Sequence, residues 1–161
     1  MAVMIESLIG ILLFTVLIVS LTLKNPLTSV GDYPPAIREK CMELGLIEKR
    51  EQRFTRADIL RKGIALLAFV FIFAVVLKQF NGADTFWKGV RDSYMIWLII
   101  DWYDALVLDS IWFCHSKKVR IPSTEDMEEY KDYCFHIKQS CIGMLLGLPA
   151  CLAVGVITAI L

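Results

Sequence analysis

Four stretches of the chain lose their polar positions wholly or nearly so, and each approaches the length of a membrane crossing. Residues 7–23 (SLIGILLFTVLIVSLTL) and 63–77 (GIALLAFVFIFAVVL) contain no charge, and 139–161 (QSCIGMLLGLPACLAVGVITAIL) runs uncharged to Leu161. A helix needs about 20 apolar residues to cross about 30 Å of hydrocarbon. The second stretch therefore borrows residues near Lys62 and Lys78, whose long stems reach the interface. The remaining stretch, Ser93 to Cys114, is uncharged except for Asp101, Asp104 and Asp109. The pattern predicts one all-α membrane domain over 1–161, a polytopic four-transmembrane-helix bundle with spans at about 5–23, 62–80, 93–114 and 138–161. Loops 24–61 and 115–137 lie between them.

The polar segments carry their own signals. The first loop opens with turn chemistry (KNPLTSVGDYPP), and Pro35 suits the first turn of a short helix because its missing N–H has no partner there anyway. Ile37, Cys41, Leu44 and Ile47 recur at three- or four-residue steps, which predicts an amphipathic helix lying on the membrane surface or packed on its own bundle. Thr55 and Asp58 offer a start for the second span in the manner of a capping box. Asn81-Gly82 marks a turn, and Phe86 and Trp87 are aromatics of the kind that settle at the interface. Ser123, with Asp126 three residues later, predicts a helix start from which the chain runs unbroken into the last span.

Charge adds orientation. The formal net charge is zero, which gives no argument for nucleic acid, but the long loops with the span ends that border them, residues 24–62 and 115–138, hold fourteen Lys and Arg while the 78–92 connection holds three and the termini none. The positive-inside rule then places both loops in the cytoplasm and both termini outside, in a plasma (inner) membrane. No Lys or Arg precedes Lys24 and no small-residue cleavage site follows the first apolar run, so it reads as a retained helix rather than a signal peptide. Cys41, Cys114 and Cys134 fall on the cytoplasmic side, Cys141 in the inner half of the last span and Cys151 near its middle, without CxxC spacing, and disulfides are not expected.

The acids of DWYDALVLD are the candidate chemistry. An Asp at a helix centre costs about 2.5–3.5 kcal/mol on insertion scales, against a return of about 0.3–0.6 for each Leu, Ile, Val or Phe. Nine such apolar residues between Ser93 and Cys114 do not offset three acids. The segment therefore needs neighbouring helices, a proton, a bound cation or a water-filled cavity. At 100° per residue Trp97, Asp101, Asp104, Leu108, Trp112 and His115 share a narrow sector, and Asp109 lies about 80° from Asp101. Asp101 and Asp104, one turn apart with no Lys or Arg in the apolar cores, can share a proton or a cation. Asp104→Asn is expected to fold and lose activity, with Asp109→Asn better tolerated.

Asp101, Asp104, Asp109, Trp97, Tyr103 and Trp112 are thus the candidate ion- or substrate-binding residues. His115, His136 and Asp109 are candidate ligands for a divalent metal, since imidazole and carboxylate suit Zn, Mn or Fe. Gly143, Gly147, Cys151, Gly155 and Ala159 repeat at four-residue steps on the last helix and predict close packing in the bundle or across a homo-oligomer. Pro149 beside them predicts a kink.

The acid spacing resembles the Asp-rich NDxxDxxxD box of the UbiA-type prenyltransferases, and the resemblance implies a diphosphate held through magnesium. It covers residues 101–109 only, with Ile100 in place of the Asn, a last gap one residue too long and a chain far shorter than that fold. Three functions remain in view. One is a transport protein or small channel passing protons, cations or a cationic substrate. The second is a metal-dependent membrane enzyme acting on a lipid or isoprenoid at the cytoplasmic face. The third is an accessory subunit whose acids meet a membrane partner protein.

Overall fold

The computed structural model describes residues 2–48 and 56–161, and all regular structure among them is helical. The order is α1 (Ala2–Lys24), a 3₁₀ segment (Pro26–Asp32), α2 (Pro35–Glu43), α3 (Arg56–Asn81), α4 (Phe86–Tyr103), a π-helix (Asp104–Phe113), two short 3₁₀ turns and α5 (Tyr133–Ile160). Two helices, α1 and α5, are long and apolar enough to cross a membrane. Leu66–Asn81 and Phe86–Phe113 pass the same test jointly, as a pair bent by 104° at a short break. The apolar side chains of these helices face outward: Leu12, Leu13, Leu67, Leu145 and Leu146 are all more than 60% exposed. Large apolar side chains exposed in such numbers are rare on a soluble monomer. Ser7 and Thr15 bond back to the carbonyls of Val3 and Ile11, so α1 leaves neither hydroxyl in need of water.

The chain divides into two compact units. One comprises Met1–Leu8, Glu51–Asp101 and Ile142–Leu161. Its core is Val70, Ala74, Leu77, Ala83, Ile96 and Val154. Asn81 closes α3 and donates to Glu6 (2.8 Å), and Gly82 turns the chain with φ +59°, a conformation that costs glycine no steric clash.

The other unit comprises Ile9–Arg50 and Trp102–Cys141, built on Tyr33, Ile37, Cys41, Phe113, Cys114, Val119, Ile121 and Tyr130. The apolar side of α2 is therefore spent on this core, with Ile37 and Cys41 fully buried. Leu44 remains exposed because the helix stops at Glu43, earlier than the spacing predicts. Gly45 adopts φ +68°, and Leu46 and Gly45 bond back to the carbonyls of Cys41 and Met42 in a Schellman ending.

The second loop departs from its expected helix start at Ser123, which has φ +69°. Tyr130 is drawn inward instead, its hydroxyl accepting from Ile121 N–H (3.0 Å) and meeting Thr124 (2.7 Å). Arg120 stacks over its ring at 3.9 Å. This knot forces turns through 124–132, and α5 begins at Tyr133 with the Asp132 carboxylate capping Phe135 N–H (2.9 Å). Helix α5 continues through Pro149. The start expected at Thr55 lies outside the described residues. All five cysteines are free.

Candidate functional site

The DWYDALVLD stretch is where the helix changes its winding. From Asp104 the backbone runs as a π-helix, with Cys114 N–H donating to Asp109 O (2.9 Å) and the Ser110 hydroxyl filling the Ala105 carbonyl (2.6 Å). Such i→i+5 winding is rare and recurs at functional sites. It turns each residue through a smaller angle than an α-helix, so the 100° count that sets Asp109 apart from Asp101 stops applying at Asp104. Leu108, Asp109, Trp112 and Phe113 line one cavity.

In the first unit, Asp101 and Trp97 lie on the small-residue ridge of α5. Trp97 donates its indole N–H to Gly143 O (3.2 Å), and Tyr94 donates to Met144 O (3.4 Å). A Cβ built on Gly143 would meet Asp101 Oδ1 at 2.5 Å, and one on Gly147 would land on the Trp97 indole. One on Gly155 would strike Val90 and the Phe86 carbonyl, while Cys151 is buried. The ridge thus packs against α4 within the chain, and its missing side chains are the space that Asp101 and Trp97 occupy. Asp101 and Asp104 are both half-buried and both engaged by neighbours.

In the second unit, Asp109 meets His136 from the first turn of α5, with Nδ1 to Oδ2 at 3.0 Å. His136 is 3% exposed, wedged edge-on between Phe113 and Phe135, with the Cys114 thiol beside it. Its Nε2 is buried without a hydrogen-bond partner. The pair borders a cavity of about 50 Å³ whose wall also includes Thr22, Ser29, Asp32, Tyr33 and Trp112. Asp32, the last residue of the 3₁₀ segment, is solvent-exposed at its edge. Crowding by the surrounding protein, and then the charge of Asp109, raise its pKa above the ordinary carboxylate value. Neither Asp32 nor Asp109 forms an ion pair with a lysine or arginine among the described residues. Tyr33, buried beneath the cavity, gives its hydroxyl to Val119 O (2.9 Å). Burial foremost holds that phenol far above its usual pKa.

Of the residues read from the sequence, Asp109, Trp112 and His136 come together at this cavity. His115 is elsewhere: it is exposed, with Nδ1 by Ile111 O (3.1 Å) and Nε2 by Tyr133 OH (3.3 Å). Among the described residues no group of three or more His, Cys, Asp or Glu is placed to hold a metal. Tyr103 sits 3.1 Å from Thr15 Oγ1. Thr22, Ser29 and Asp32 escape sequence reading, because they lie on a helix end and a 3₁₀ turn that share no period with the acids. No protein-family model matches the chain, and neither do the curated proteins or the solved structures with which it was compared.

Proposed function

We propose that this chain is a small polytopic membrane protein that moves protons or small cations, with Asp101, Asp104 and Asp109 as its acidic site. The single observation that carries the reading is the Asp109–His136 contact, set beside Asp32 on one cavity wall. Asp32 and Asp109, which meet no lysine or arginine among the described residues, attract positive charge. The outward apolar faces of α1, α3 and α5 support insertion, and the fourteen-to-three distribution of Lys and Arg supports four crossings with both termini outside. The membrane is then the plasma (inner) membrane, with the cavity at its cytoplasmic side.

The orientation is tested by reporter fusions at Leu161, expected to be active only outside the cytoplasm; activity confined to the cytoplasm overturns it. The activity is tested with purified protein in liposomes under an imposed cation or pH gradient. Wild type is expected to dissipate the gradient, and Asp101→Asn, Asp104→Asn and Asp109→Asn to slow it. Dissipation no faster than in empty liposomes rejects the transport reading.

A further inference from the structure

Three of the five cysteines, Cys41, Cys114 and Cys151, are buried, whereas Cys134 and Cys141 are exposed on α5. Counted from Cys134 at 100° per residue, Lys138, Cys141 and Leu145 all fall within a sector of about 60°. The helical period sets this face opposite the packed one: His136, Ser140 and Gly147 are buried, and Lys138, Cys141 and Leu145 are exposed. No acid lies in α5, and Lys138 is its single lysine or arginine. Past Lys138 the helix is uncharged to its end, so on the membrane reading this side chain marks where α5 enters hydrocarbon. Cys134 precedes that boundary by about one turn, and Cys141 follows it by about one turn.

The spacing rules out the chemistry that two thiols usually share. Seven residues of helix hold them about 10 Å apart along the axis, beyond the reach of a disulfide. Among the described residues no group of three or more His, Cys, Asp or Glu is placed to hold a metal. Along the helix axis the face instead carries a cation flanked by two nucleophilic sulfurs and then the exposed apolar side chains of Leu145 and Leu148. A long-chain fatty acyl-CoA has its parts in the matching order: a head bearing phosphates, a thioester and an apolar tail. With the tail in the bilayer, the thioester lies at the interface, the depth at which the two cysteines stand, and a lysine there suits the phosphates. Cysteines beside a membrane crossing are for this reason open to reversible acylation.

We infer that Cys134 and Cys141 are S-acylation sites that take a long-chain acyl group directly from a fatty acyl-CoA, with Lys138 attracting the phosphates of the donor. In this step the cysteine sulfur, its proton lost, attacks the thioester carbonyl. A bond from the cysteine sulfur to the acyl carbon forms, the bond from that carbon to the CoA sulfur breaks, and the departing CoA thiolate takes up the proton. No oxidant or reductant is consumed. One acyl chain gives a reversible attachment and two give a stable one, so the doubly acylated protein holds the start of α5 to the cytoplasmic leaflet. The inference is independent of the cation reading, and it rests on the proposed orientation only for the access of a cytoplasmic donor.

The test uses the purified full-length protein in detergent at neutral pH. It is incubated with palmitoyl-CoA, or with acetyl-CoA as a donor that lacks the apolar tail, and its intact mass is followed with time. Wild type is expected to gain one and then two palmitoyl groups, both removed by neutral hydroxylamine as thioesters are. Cys134→Ser and Cys141→Ser should each retain one, and the double variant none. Lys138→Gln should slow the gain roughly twofold to fivefold, the scale of an exposed charge contact. All three positions are exposed, so each variant should melt as wild type does. No gain in wild type overturns the inference, as do equal rates with acetyl-CoA, label that resists hydroxylamine, label retained in the double variant, or an unchanged rate in Lys138→Gln. Detergent removes sidedness, so failure of this reaction leaves the orientation standing. A reporter at Leu161 active only in the cytoplasm overturns the orientation and, with it, acylation in the cell.

Discussion

Replacing Gly147 with Leu is expected to cost the fold about 3 kcal/mol, at the upper end of typical overpacking penalties. The reason is geometric. A Cβ at Gly147 falls on the Trp97 indole, 2.7 Å from Cδ1 and nearer still to Nε1 and Cε2. Trp97 cannot retreat without giving up its hydrogen bond to Gly143 O, and Gly143 is itself covered by Asp101. Leu adds three further carbons beyond the Cβ, so α4 and α5 must separate. For a chain of this size each kcal/mol is worth about 2–4 °C, and the melting temperature in detergent should fall by roughly 6–12 °C. Leu145→Ala, at a position 72% exposed to the surroundings, is the control and should shift it little. An unchanged melting temperature in Gly147→Leu would mean that the helices do not meet here.

Asp109→Asn should reduce cation flux by roughly tenfold to a hundredfold, about 1.5–3 kcal/mol, the scale on which a charged acceptor acts on a partner. The amide oxygen of Asn still accepts from His136 Nδ1–H, so shape and contact survive while the charge that faces the cavity is gone. The variant is therefore expected to insert, fold and purify as wild type does. From the sequence Asp109 is expected to be the most tolerant of the three acids, because it lies nearer the cytoplasmic water; its contact with His136 at the cavity wall reverses that expectation. Flux at the wild-type rate in Asp109→Asn, with normal melting, would remove Asp109 from the mechanism.

The hydrophobic pattern by itself determined that this is an all-helical chain with apolar segments of crossing length, because an uncharged run such as 7–23 leaves the backbone no stable option in lipid but a helix. The amphipathic period also located α2, and the small-residue steps in α5 identified a packing face, since both follow from local spacing along one helix. Only the tertiary structure decided what those faces meet. Ile37 and Cys41 are satisfied by Val119, Ile121 and Tyr130, far along the chain, and the Gly143–Gly147 gap is filled by Trp97 and Asp101. The start of α5 moved from Ser123 to Tyr133 because the buried Tyr130 hydroxyl, bonded to Thr124 and Ile121, outweighs a local capping signal. The meeting of Asp32, Asp109 and His136 lay beyond sequence altogether: a 3₁₀ turn, a π-helix and the first turn of an α-helix have no common period, and only packing of the chain brings their side chains to one cavity.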